Sequence, residues 1–187
     1  MAVGPRRGVP LTREEIYAAA WRLIDAGGVE ALSMRKLAAE LAVNPMSLYH
    51  HIENKTALLH ELCLRVGEQM APPPDDGSPW QEQLLALGHV YRELAHAHPA
   101  LWQYVFNHPE VMSAQQGGLW EALDRILLLA GIPEHDLRTI AEILSAFVSG
   151  FIVSESTGGV RPDTFDQAAA LLIGALEAHI RAGRTSS

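Results

Sequence analysis

Two helix-start signals close together, Ser33 and Asn44-Pro45, constrain this 187-residue chain most. Ser33 is a good N-cap, and Leu32 and Leu37 are placed to pack across it as a hydrophobic staple. The helix it opens runs to about Leu41, and only Ala42, Val43 and Asn44 follow before the next one. Asn44 caps that next helix, and Pro45 suits its first turn because no amide donor is needed there. The second helix ends near Ile52, barely two turns on. Helices so short, joined by so tight a turn, cannot lie side by side. They must cross steeply, which is helix-turn-helix geometry.

The rest of the chain also reads as helix, with no alternating strand pattern, no Asn-Gly hairpin signal and no internal repeat. The fold class is all-α. Thr12 with Glu15 forms a capping box, Leu11 can staple onto Ile16, and Gly27-Gly28 ends the first helix. A fourth helix is expected from about Asn54 to Met70. Three consecutive prolines in residues 71–79 break the helical text. Ser78, Pro79 and Gln81 supply the cap, first-turn proline and capping-box partner of a fifth helix, which runs to about His98. Further helices are expected from Pro99 to Phe106, Ser113 to Ala130, Pro133 to Ser156 and Asp163 to Ala182. The domains read as an arm at 1–11, a helix-turn-helix domain with its connecting helix at 12–70, a linker at 71–79 and a second helical domain at 80–187.

Charge divides along the same line. The chain carries 14 Lys and Arg against 22 Asp and Glu. Residues 1–66 sum to +1 and residues 67–187 to −9, and both lysines, Lys36 and Lys55, fall in the first part. An acidic remainder would turn the other end toward a polyanion. No apolar run approaches the roughly 18–20 residues of a bilayer span, so no membrane partner is expected. The start MAVGPRRGVP has no apolar stretch behind its arginines, as a secretory signal would. The single cysteine, Cys63, excludes an internal disulfide, and a reduced cytoplasm is the expected compartment.

The last two helices imply a second copy of the chain. Leu137, Ile140, Leu144 and Val148 stripe one of them. The other holds nine consecutive apolar or glycine residues, Ala168 to Leu176. Helices apolar on all sides must be covered on all sides. The expected cover is a homodimer in which helix pairs from two chains form a four-helix bundle. Its interface would use Leu137, Ile140, Leu144, Val148, Leu171, Leu172, Ala175, Leu176 and His179.

The chemistry sits in residues 33–55. Leu37, Ala38, Leu41, Val43, Leu48 and Ile52 lie where the crossed helices touch. Arg35, Lys36, Pro45, Met46, Ser47, Tyr49, His50, His51 and Lys55 point outward, donors and flat rings with no acid among them. Lys55 lies in the first turn of a helix, where the dipole disfavours a cation but free backbone amides favour an anion. Beside Tyr49 and Arg35, it makes sense with a phosphate between lysine and amides.

Residues 12–59 resemble the DNA-binding domain of the TetR family of bacterial transcription regulators. Leu-Ser-Met-Arg-Lys-Leu-Ala-Ala-Glu-Leu, then Leu-Tyr-His-His-Ile, then Asn-Lys-Thr-Ala-Leu-Leu carry the likeness. The resemblance implies that Ser33 to Leu41 is the supporting helix and Pro45 to Ile52 the recognition helix. Tyr49 and Lys55 would then hold phosphates. Arg35, Pro45, Met46, Ser47, His50 and His51 would line the groove, and Ser33, Lys36 and Asn44 count with them as DNA-binding residues. Ala42 stands where the family often has glycine, so the turn is expected to differ slightly, because a left-handed alanine costs about 1 kcal/mol. Arg6 and Arg7 of the arm are candidates for phosphate or minor-groove contact.

The likeness continues from Trp80 to Ser156, which is similar to the effector domain of the tetracycline repressor and its relatives. It implies a ligand cavity, with His89, Tyr91, Trp102, Tyr104, Phe106, His108, Trp120, Phe147 and Phe151 as its candidate wall. Such a wall suits a flat or lipophilic molecule. Val105 and Ser154 stand where the family's magnesium-chelate binders carry histidine and glutamate, so tetracycline itself is not expected. His89 and His96 share a helix face two turns apart, too far for one ion, so neither metal nor cofactor is expected. No Gly-rich phosphate loop or Gly-x-Ser-x-Gly suggests an enzyme. The expected function is ligand-responsive transcription regulation: a repressor, dimeric on a pseudo-palindromic operator, released by a small hydrophobic or aromatic effector. The alternative is an all-helical small-molecule-binding protein or enzyme without DNA binding.

Overall fold

The computed structural model describes residues 10–68, 72–108, 111 and 118–185. Arg6 and Arg7 of the arm lie outside these residues, as do Met70 and the expected helix start at Ser113. The chain forms two compact units, one of Met1–Val66 with His98–Ser113 and one of Gly67–Ala97 with Ala114–Ser187.

The first unit opens with α1 (Arg13–Gly27), closed at its start by the full capping box. Glu15 N donates to Thr12 Oγ1 at 3.3 Å, and Thr12 N donates back to Glu15 Oε2 at 3.0 Å. A short 3-10 turn, Val29–Ala31, leads to α2 (Met34–Glu40), where Lys36 N donates to Ser33 Oγ at 3.2 Å. Asn44 caps α3 (Pro45–Tyr49) by accepting from Met46 N at 2.9 Å. The helix stops at Tyr49, so His50 and His51 occupy the turn after it rather than a second helical turn. Asn54 in turn caps α4 (Lys55–Glu68), accepting from Ala57 N at 2.9 Å.

The turn between α2 and α3 does not differ to suit its alanine. Ala42 adopts φ 54°, the left-handed conformation. Ala42 N donates to Ala39 O at 3.2 Å and Val43 N to Ala38 O at 3.0 Å. That paired pattern is the Schellman closure, normally built on glycine. Leu37 and Leu48, both fully buried, hold the two helices in place around it, so tertiary packing imposes the strained conformation.

The unit's boundary departs from the sequence reading, which gave everything after residue 80 to the second domain. Residues 98–113 belong to the first unit through α6 (Pro99–Asn107). Its Leu101, Trp102 and Val105 are buried. The ring of His98 lies 4.9 Å from that of Trp21, and the ring of Tyr104 6.5 Å from that of His60. Sequence proximity to the helix that ends at Ala97 says nothing about where these apolar groups find cover.

The second unit packs α5 (Trp80–Ala97), α7 (Gly118–Ala130), α8 (Glu134–Ser156) and α9 (Phe165–Thr185). Gln81 does not serve the expected capping box. Its amide donates to Glu177 Oε1 at 2.7 Å, while Gln83 Nε2 reaches Ser78 O at 2.8 Å. The core gathers Leu87, Ile126, Leu127, Ile132, Ala141 and Leu144 among others. The 23-residue α8 is, by length and composition, apolar enough to cross a membrane, contrary to the reading that no stretch approaches this. Its Ile140, Ala141 and Leu144 belong to the unit's core, as those of a core helix do.

Candidate nucleic-acid interface and cavity

In the first unit the donors left over after folding are the informative ones. Arg13 Nη1 lies 3.3 Å from Glu61, Arg22 Nε 3.0 Å from Glu40 and Arg65 Nη2 2.9 Å from Glu14. Arg35, Lys36 and Lys55 have no ion pair among the described residues. Arg35 and Lys36 are exposed on α2, and Lys55 is half-buried as the first residue of α4. Asn44, Pro45, Met46, Tyr49 and His50 are exposed, and Ser33, Ser47 and His51 half-buried. Met46 is 64% and Tyr49 47% exposed, while Leu48 between them is fully buried. A methionine and a tyrosine ring held in water have no role in this unit's own packing. The arrangement offers cations, hydroxyls, imidazoles and flat apolar groups from neighbouring short elements, suited to a phosphate backbone and base edges.

One supporting residue had no signal in the sequence. Arg13 Nη2 donates to His51 O at 2.9 Å, just beyond α3, while its Nη1 lies 3.3 Å from Glu61 Oε1 on α4. Tyr17 Oη donates to the other Glu61 oxygen at 2.6 Å, and the Arg65 guanidinium lies over the Tyr17 ring at 4.1 Å. This network ties the end of the recognition helix to α1 and α4. Its members lie far apart in sequence, so no local pattern announces it.

The second unit forms a half-open cavity, with about 770 Å³ of atom-free space counting the open solvent at its mouth. From α5 come Leu84, Leu85, Leu87, Gly88 and Tyr91, and from α7 Leu119, Trp120 and Leu123. Leu144, Ser145, Phe147 and Val148 of α8 and Phe165, Ala169, Leu172 and Ile173 of α9 complete the wall. The expected wall residues therefore separate. Tyr91, Trp120 and Phe147 line the cavity. Phe151 stands behind Phe165 with ring centroids 5.2 Å apart, and His89 meets the same ring at 5.2 Å while pairing with Asp166 at 2.9 Å. Trp102, Tyr104, Phe106 and His108 fall in the first unit, apart from the cavity lining that the second unit supplies. Their aromatic character matched a cavity wall, but α6 is placed by its packing in the other unit.

Tyr91 Oη lies 3.5 Å from Ser149 Oγ, and burial pushes the phenol up to about 12. Beside the cavity, Arg92 Nε donates to Glu155 Oε2 at 2.9 Å, and Arg92 Nη2 donates to Pro162 O at 3.1 Å. His96 Nε2 lies 3.2 Å from Glu155 Oε2. The Arg92 guanidinium holds the Glu155 carboxyl below the usual carboxylate range, against the opposing effect of burial. Among the described residues, no group of three or more His, Cys, Asp or Glu side chains could hold a metal ion.

The expected dimer residues also separate. Ile140, Leu144 and Leu176 lie inside the unit's own core, with Leu137 and Leu172 packed against it, and Val148 lines the cavity. Leu171 is 79% exposed, and Ala175 and His179 are exposed with it. On α8 the exposed residues include the apolar Ile143, 55% exposed, and Ala146, beside polar ones such as Arg138, Thr139 and Glu142. The unit covers one stripe of each apolar helix itself. The small or apolar residues left exposed include Ile143 and Ala146 of α8 and Leu171, Gly174, Ala175 and Ala178 of α9.

Residues 16–62 match the family described as bacterial regulatory proteins, tetR family, and residues 84–178 the tetracyclin repressor-like C-terminal domain. The chain belongs to the TetR family. Its N-terminal helix-turn-helix unit and C-terminal helical domain are those of that family. The transcriptional repressor DrrR1 of Streptomyces coeruleorubidus is 32% identical over 78% of this chain, which spans 55% of that repressor. The match thus takes in only about half the length of that curated relative. The crystal structure of BioQ with its double-stranded DNA operator superposes with TM-score 0.75 at 29% identity, covering 90% of this chain and 99% of BioQ. ActR of Streptomyces coelicolor, in complex with actinorhodin, gives TM-score 0.69 at 27% identity over 84% of this chain and 73% of ActR.

Proposed function

We propose that this TetR-family chain is a dimeric operator-binding repressor that a small hydrophobic effector releases from DNA, acting in the cytoplasm and without enzymatic activity. The observation that carries the reading is the segregation of cations in the first unit. Arg13, Arg22 and Arg65 are paired with carboxylates, whereas Arg35, Lys36 and Lys55 have no ion pair among the described residues and lie on the helices either side of the one that carries the exposed Met46 and Tyr49. Tyr49 and Lys55 hold phosphates, while Arg35, Ser47 and His50 reach base edges. No Arg or Lys lies within α3 itself, so bidentate guanine reading falls to Arg35 on α2. That BioQ was solved on its operator supports this assignment, as the ActR complex with actinorhodin supports an effector role for the cavity.

A C2 dimer would set two recognition helices about 34–36 Å apart, one in each of two successive major grooves. The exposed Ile143, Ala146, Leu171 and Gly174 supply the interface. A ligand favouring the state with wrongly spaced helices shifts the equilibrium off DNA by its differential affinity for the two states. An all-helical enzyme or carrier gives no reason for the cations of the helices either side of α3 to be left without carboxylates.

Binding to a random-sequence duplex, measured by fluorescence anisotropy across a salt series, tests the DNA reading. Affinity falls steeply with salt, and Lys55→Ala reduces the log–log slope by about 1. No binding at low salt, or an unchanged slope, refutes it. In sedimentation, the protein runs as a dimer and Leu171→Glu as a monomer. A wild-type protein that stays monomeric at micromolar concentration removes the dimer.

A further inference from the structure

The wall of the cavity contains no acid, no base and no imidazole among the described residues. Its polar side chains, Tyr91, Ser145 and Trp120, are all uncharged. Charged groups do lie close by, but each is engaged elsewhere. Arg92 is held by Glu155 and Pro162 O, with its guanidinium 5.2 Å from the centroid of Phe165. The ring that forms part of the wall is therefore the ring that carries the cation. Glu155, with a side chain only 6% exposed, also faces His96, and His89 is paired with Asp166. Arg125 is shared by Gln83 and Asp75. An ion entering this half-open cavity would lose part of its water and meet no countercharge in the wall, and the charged groups named around it already have partners. Four aromatic side chains, Tyr91, Trp120, Phe147 and Phe165, instead offer flat apolar surface.

Building on the effector reading above, we propose that the cavity selects uncharged aromatic molecules and excludes organic ions and metal chelates. Raised as it is by burial, the Tyr91 phenol stays neutral across physiological pH and provides no hidden charge.

A matched pair of dyes tests this on the intact protein. N-phenyl-1-naphthylamine and 8-anilino-1-naphthalenesulfonate share one ring system and differ in a single negative charge. Fluorescence titration is expected to show saturable binding of the neutral dye, tighter than the sulfonate by about tenfold or more. Ala169→Phe, which fills the cavity from α9, weakens the neutral dye by a similar factor, as does Ser145→Leu from α8. Circular dichroism checks that both variants are folded. If the sulfonate binds as tightly and is equally sensitive to both variants, charge exclusion is overturned while the effector site stands. If the neutral dye fails to saturate, or ignores both substitutions in folded protein, the cavity is no effector site and both readings fall.

Discussion

Ala42→Gly offers a direct test of how the helix-turn-helix is held. At φ 54° the alanine Cβ crowds the following carbonyl oxygen, which costs about 1–2 kcal/mol. Glycine removes that strain but gives the unfolded chain more freedom, which offsets about 0.4–1 kcal/mol of the gain. The two backbone bonds of the closure, Ala42 N to Ala39 O and Val43 N to Ala38 O, are available to glycine unchanged. The net expectation is a stabilisation of about 0.5–1 kcal/mol, or a rise of about 1–4 °C in Tm for a chain of this size. Thermal unfolding followed by circular dichroism measures it, and operator affinity serves as the control. Because the turn keeps its geometry, affinity stays within about twofold, less than a single lost hydrogen bond would cause. Ala42→Val adds β-branching at a positive φ and is expected to melt lower than the native protein. A glycine variant that melts below the native protein, or a valine variant that melts no lower, refutes the strain argument.

Two further outcomes follow from burial and charge. Cys63 is buried and its thiol is pushed up to about 12 by desolvation, so thiolate is scarce near neutrality. Ellman's reagent should find almost no reactive thiol in the native protein and a full equivalent in denaturant; prompt native labelling contradicts the packing of α4. The Glu155 carboxyl is held low by Arg92, so its contribution to stability is present above the ordinary carboxylate pKa of about 4.3 and is lost as pH falls through the lower folded value. Arg92→Met should therefore lower Tm clearly near pH 7 and progressively less as pH falls below about 4. A Tm difference that stays constant over that range shows that the pair contributes nothing pH-dependent.

Much of the first unit was legible because its signals are local. Thr12 with Glu15, Ser33, and Asn44 with Pro45 each act within three residues, and the structure shows each bond made. The outward set from Arg35 to Lys55 could be read by elimination, since crossed short helices leave few positions facing inward. The cavity was less legible. Aromatic residues on α5, α6, α7 and α8 look alike in sequence, and only packing separated Tyr91, Trp120 and Phe147 from Trp102, Tyr104 and Phe106. The Leu, Gly and Ala residues that make up most of the wall carry no sequence signal that separates them from core.

The sequence by itself determined where helices start, which short pair must cross and which donors stay outside, because these depend on capping and spacing over a few residues. Tertiary structure decided which unit takes α6, which stripe of α8 and α9 is covered, and that Arg13 would hold the carbonyl of His51. These depend on contacts between residues distant in the chain. A helix apolar on several faces does not say which face the chain itself will cover.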